Sequence, residues 1–187
     1  MKKFLISIFI LFSVVSFGFS HSHEAVIELT HYIQKNYYPK ASSREEIEIQ
    51  FVDGNKTPAG GYASFHGYGE GKVKIIYSEA CAGGRSSELL LDVIHELAHF
   101  ETYCMNGHVS HNDTWCTVNS AVFIRVYEDI SAGKLDNLLF MKELNDDLFW
   151  MYWKESVTAN QKASRNGKEP KYKKSLYNKV YNFKKKD

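Results

Sequence analysis

Proline is scarce in this 187-residue chain, with three in all, and no low-complexity run interrupts it. Both absences argue against a globally disordered protein. Cysteine is equally rare. Cys81, Cys104 and Cys116 are an odd number, so at least one has no partner within a monomer. No internal repeat occurs at solenoid spacing, and past the opening residues no segment is long and apolar enough to cross a membrane. Charge of neither sign dominates, with 23 Lys and Arg against 22 Asp and Glu. That balance suggests no polyanion, nucleic acid included, as a partner of the folded domain.

What the chain does have is enough apolar material for a full core: 44% of residues are hydrophobic and 14% aromatic. Its length suits one domain of ordinary size with a tail. The opening residues stand apart. Lys2 and Lys3 precede an apolar run from Phe4 to Phe19 broken only by Ser7, Ser13, Ser16 and Gly18. A basic start, a short apolar stretch and small residues at Gly18 and Ser20 predict a secretory signal over 1–20, cleaved after Ser20. The expected product is exported, periplasmic or secreted, and spans no membrane. Loss of Lys2 and Lys3 leaves 21 basic residues against 22 acidic ones. From Lys162 to Asp187 ten Lys and Arg face only Glu169 and Asp187, which reads as a solvated basic segment over 161–187. The folded domain is then expected over 21–160. With cleavage after Ser20, His21-Ser22-His23 would offer a free amine and a third-position histidine, a chelator for Cu(II) or Ni(II). A flexible polar start is the plainer reading of the same residues.

Hydrophobic periodicity places a helix over 24–38, with Val26, Ile27, Thr30, Ile33 and Tyr37 at helical spacing and Pro39 as its stop. Ile47, Ile49 and Phe51 alternate with polar neighbours, as in a half-buried strand ending at a turn. GGYASFHGYGEG is a short strand or a loop, and KVKIIYS a further strand with Val73, Ile75 and Tyr77 on one face. Ser86 or Ser87 then caps a helix whose turns carry Leu90, Val93, Ile94, Leu97, Ala98 and Glu101, and Asn106-Gly107 ends it. Asn112 or Asp113 caps the next helix, with Trp115, Val118, Val122, Val126 and Ile130 as its apolar stripe and Gly133 as its end. A last long helix is expected over 137–157, carrying Leu138, Met141, Leu144, Leu148, Met151 and Tyr152. Phe149, Trp150 and Trp153 read as its core packing. An α+β domain follows: an N-terminal helix, a small antiparallel sheet, then helices.

The chemistry concentrates in VIHELAHFETYCMNGHVSHNDTW, residues 93–115. His95 and His99, at i and i+4, share one helix face and offer two imidazoles one turn apart. Glu96 follows the first and can reach a water on a bound metal without ligating it. That is the arrangement of a zinc hydrolase, and the uncharged flanks suit a buried active-site helix. Asp92 stands where it could orient His95. A third ligand is required. A histidine six residues after His99 is ruled out by Met105, which leaves Glu128 on the following helix or a loop histidine, His108 or His111. Cys104 and Cys116 bracket that loop. A disulfide between them would brace it, while pairing of Cys81 with either, or three reduced thiols, fits the sequence equally.

HELAH followed by a short loop and then His111-Asn112-Asp113-Thr114-Trp115 resembles the SprT-like metallopeptidases over about residues 24–130. The resemblance implies a zincin-like fold, Zn2+, peptide-bond hydrolysis on a peptide or protein substrate, His111 as third ligand, and Trp115 packed under the site. It leaves His108 behind the ligands or beside the substrate. The chain departs from many relatives in having no C-x-x-C pair for a zinc ribbon. Its exported character also sets aside the action on DNA-bound protein of the best-known members. The expected protein is therefore a zinc metallopeptidase with His95, His99 and His111 on the metal and Glu96 as general base, then acid. An exported hydrolase of a non-peptide amide in the cell envelope and a non-enzymatic zinc-stabilised binding module are the rival readings. His66 could face the cleft from a strand, and Tyr62, Tyr68 or Tyr103 could polarise a tetrahedral intermediate. The sequence selects no oligomeric state.

Overall fold

The apolar stripe of the first expected helix becomes α1 (His23–Tyr37), which buries Val26, Leu29, Thr30, Ile33 and Tyr37 and leaves Ile27 exposed. Ser22 caps it, its side chain accepting from the Ala25 N–H. The structure, a computed structural model, describes residues 20–44, 47–67 and 73–148. Most of the expected signal, Tyr68, the 149–157 part of the last helix and the basic segment lie outside these residues. Pro39 ends α1 and, fixed at a helical φ, opens the single turn α2 (Pro39–Ser42). The strands β1 (Glu48–Val52), β2 (Ala63–His66) and β3 (Lys74–Ser78) form one sheet in the order β1-β3-β2.

The sheet corrects the expectation of an antiparallel one. β2 pairs antiparallel with β3, placing Phe65 opposite Ile75, but β1 pairs parallel with β3, placing Ile49 opposite Ile75. The 53–62 connection carries the chain across to the far edge before β3 returns to the centre. A central strand is covered on both faces, so Ile76 and Ser78 are buried along with Ile75 and Tyr77. The turn α3 (Glu79–Ala82) follows, capped by the Ser78 side chain.

The central helix α4 (Ser86–Asn106) packs on the sheet through Phe100 and Tyr103, both against Phe65. Gly107, at φ 73°, ends it by donating its N–H to the Tyr103 carbonyl, as Asn106-Gly107 predicted. The stripe of α5 (Asp113–Ser131) buries Trp115, Val118, Val122 and Val126 in the shared core, and Asn112 caps the helix by accepting from the Trp115 N–H at 2.9 Å.

The last helix departs most from expectation. Among the described residues only α6 (Leu139–Lys142) is helical there, and the chain then leaves the helix to reach the start of α4. Asn145 Oδ1 accepts from the Ser86 N–H at 2.8 Å and the Ser86 hydroxyl at 3.0 Å, and its Nδ2 donates to the Gly84 carbonyl at 3.0 Å. Asp146 accepts from the Ser87 N–H at 3.0 Å and from its hydroxyl. Ser86 and Ser87 are therefore the first two residues of α4 rather than its cap, which is supplied from 59 positions away. These bonds need a backbone that has left the helix, and the Asn-Asp-Asp run at 145–147 provides it.

The N-terminal residues join the same corner. His21 is buried, its N–H donating to the Ala82 carbonyl at 2.9 Å and its Nε2 lying 2.9 Å from Ser86 Oγ. Ser22 gives its N–H and its hydroxyl to the two oxygens of Glu143, each at 2.8 Å. His23 stacks on Phe51 and meets Glu79 at 2.9 Å. A chelate would need the Ser22 amide nitrogen that Glu143 engages and the His23 amide that opens α1, so the copper or nickel reading does not suit the fold. Neither does a flexible start.

Candidate metal centre

α4 sets the site by its own geometry. His95 and His99 stand one turn apart on one face of it, and Tyr38, fully buried, donates its hydroxyl to the Ile94 carbonyl at 2.8 Å just ahead of them. Farther along, the buried Glu101 carboxylate accepts the backbone N–H groups of Lys40 and Ala41 at 3.1 and 2.7 Å, tying the helix to α2. The turn after Gly107 then brings His111 back over the helix. Its Nε2 lies 3.0 Å from His95 Nε2, and His99 Nε2 lies 3.2 Å from the same atom.

These separations match a shared cation. Two nitrogens each about 2.0–2.1 Å from a tetrahedral ion stand about 3.3 Å apart. The potential ligand atoms of His95, His99 and His111 all lie within 4.8 Å of one another, so the three residues could hold a metal ion. Among the described residues no other His, Cys, Asp or Glu belongs to that cluster. Glu128 instead meets Arg125 at 3.7 Å, and His108 is exposed, its N–H held by Asn106 Oδ1 at 3.0 Å. His99 is buried, whereas His95 is half-buried and His111 exposed. Three histidines are one ligand short of a tetrahedral set, and the exposed His111 puts the cluster within reach of solvent.

Trp115 is the floor beneath all three rings. Its centroid lies 4.6 Å from His95, 5.2 Å from His99 and 4.5 Å from His111, stacked on the second and edge-on to the third. The Asn112 cap fixes the turn of α5 on which Trp115 sits.

Glu96 stands beside the cluster, its Oε1 3.9 Å from His95 Nε2, and is 7% exposed. Burial, helped by the negative charge of Asp92, pushes its carboxyl up to about 8, against the pull of a hydrogen bond from the Phe65 backbone N–H. A cation on the neighbouring imidazoles acts in the opposite direction and favours the carboxylate. Edge strand β2 reaches α4 beside the cluster through Phe65, which stacks on Phe100, a link for which the sequence carries no signal.

Asp92 accepts from Cys81 Sγ at 3.3 Å. Burial, then this carboxylate, holds the Cys81 thiol well above its ordinary range and hence protonated. Among the described residues no disulfide joins Cys81, Cys104 or Cys116. His66 is turned away from α4. It shares a sheet face with Ser64, whose Oγ lies 2.9 Å from its Nε2, while Phe65 between them faces the helix. Of the tyrosines, Tyr103 packs on Phe65, and Tyr62 lines a groove that ends at His95. No helix among the described residues is long and apolar enough to cross a membrane. Comparison of the chain with protein-family models, with curated proteins and with solved structures gave no match.

Proposed function

We propose that the protein is an exported zinc-dependent metallopeptidase of the SprT-like kind. The observation that carries this reading is the position of Glu96, a buried carboxylate beside the convergence of three imidazole nitrogens and outside their ligand set. A purely structural site has no use for a carboxylate there. His95, His99 and His111 would hold the zinc, and the chemistry it would supply when bound is that of a Lewis acid that lowers the pKa of water toward neutrality and polarises a carbonyl.

The remaining work falls to the chain. Glu96 accepts the proton of the attacking water and delivers it to the leaving amine. Trp115 excludes water from beneath the imidazoles and fixes their orientation.

The test is digestion of unfolded casein by the purified protein beside Glu96→Gln, with zinc content measured for both. Each should hold one equivalent of zinc, and the variant should cut slower by about a hundredfold to ten-thousandfold, the usual contribution of a positioned base. Zinc in both proteins and cleavage by neither sinks the peptidase reading. A hydrolase of another amide, or a binding module, would then take its place.

A further inference from the structure

A groove of 720 Å3 adjoins the three imidazoles and includes His95 in its lining. That volume is in the range of sites that enclose a ligand group. Its floor is one stripe of α4, formed by Glu88, Leu91, Asp92 and His95. Its far wall belongs to the 53–62 connection, which contributes Lys56 and Tyr62. Along the helix axis Asp92 lies about 4.5 Å, and Glu88 about 10 Å, from the His95 ligand. A long side chain attached next to the scissile bond spans that interval.

Chemistry narrows the occupant. An acidic group would meet two carboxylates. An apolar one would strip water from both while gaining only the little surface that Leu91, 8% exposed, presents. A basic side chain meets neither objection, since its methylene stem lies over Leu91 and its cationic head reaches the carboxylates. Tyr62 is 56% exposed and adds an aromatic face on the opposite wall, which attracts cations. Among the described lining residues Lys56 is the one lysine or arginine, set against the carboxylates of Glu88 and Asp92. The Cys81 thiol, donating to Asp92, fixes that carboxylate at the back of the groove. We infer that the groove is a specificity subsite for a lysine or arginine side chain flanking the scissile bond, an inference that rests on the peptidase reading.

Binding tests it without turnover. Two dye-labelled peptides, Gly-Gly-Lys-Lys-Gly-Gly and its norleucine counterpart, are titrated by fluorescence anisotropy into zinc-loaded Glu96→Gln protein. The lysine peptide should bind at least about tenfold tighter, which is about 1.4 kcal/mol. Adding Glu88→Gln and Asp92→Asn should bring the two affinities within about twofold, under 0.5 kcal/mol or so. Lys56→Gln, a surface change that leaves the fold intact, should strengthen lysine binding. Equal affinities, a preference for norleucine, no binding of either peptide, or a lysine preference that survives loss of both carboxylates would each overturn the inference. Casein digestion by the wild type is scored separately. A lysine preference on a protein that cuts nothing would therefore fault the peptidase reading and leave the subsite standing.

Discussion

Replacing Asn145 by alanine tests whether a residue far along the chain holds the start of α4, the helix that carries His95 and His99. The side chain accepts two hydrogen bonds from Ser86, one from its N–H, and donates one to the Gly84 carbonyl. Loss of a helix cap costs about 1 kcal/mol, and loss of a further buried hydrogen bond about 1 more. For a protein of this size each kcal/mol moves the melting temperature by about 2–4 °C, so Asn145→Ala should melt about 4–8 °C lower. Asn145→Asp keeps the acceptor, loses the donor to Gly84 and adds a negative charge at a helix N-terminus, so it should fall by less than half as much. Thermal unfolding followed by far-ultraviolet circular dichroism reads both. His95 lies nine residues into the helix, so zinc affinity, read by competition with a chelator, should stay within about threefold of wild type, well under 1 kcal/mol. An alanine variant that melts within about 1 °C of wild type refutes the remote cap.

Three further outcomes follow from the site and its supports. His111→Ala should abolish retention of zinc through dialysis while the circular dichroism spectrum stays native, and full zinc content in that variant would remove His111 from the ligand set. Trp115→Ala should destabilise the metal-free protein by about 3–5 kcal/mol. It should also weaken zinc binding by about tenfold to a hundredfold, as loss of a supporting contact does. Trp115→Phe should recover most of both, and an unchanged zinc affinity in the alanine variant would show that the floor does not orient the rings. His21 is held below its ordinary value near 6.5 by burial, which outweighs the pull of Glu143 and Asp146. The unfolded chain therefore takes up the proton first as pH falls. The stabilisation is complete above 6.5 and is lost as pH drops through that value toward the folded one. Urea unfolding at pH 7.5 and at pH 5.5 should show a smaller loss for His21→Gln than for wild type, and equal losses would refute the assignment.

Helix α4 was legible because its signals are local. The spacing of His95 and His99, the uncharged residues around them and the Asn106-Gly107 stop all act within one element, and the same holds for Asn112 and the stripe of α5. The site was legible for the same reason, since His111 and Trp115 stand within one turn and one helix of His99. What the sequence hid depends on pairing at a distance. Alternation marked the strands, but nothing in it distinguishes a parallel partner from an antiparallel one, and a central strand buries both its faces whatever its pattern. The 137–157 stripe read as helix because a periodic pattern does not show that Asn145 and Asp146 have better partners on another helix. His21 and Ser22 looked like a loose end because the Glu143 that engages them lies 121 residues from Ser22.

The candidate metal centre is assembled from a very short stretch of chain. His95, His99 and His111 lie on one helix and the turn that follows it, so bringing them together closes a loop of only about a dozen residues, for which the entropy penalty is small. The sheet, by contrast, requires β1 to find β3 across the whole 53–73 interval, and contacts of that kind form slowly. Metal capture and completion of the fold are thereby separable events. A cation gathered by the α4–α5 pair would make its binding energy part of the folding energy of the half of the molecule that holds the three histidines.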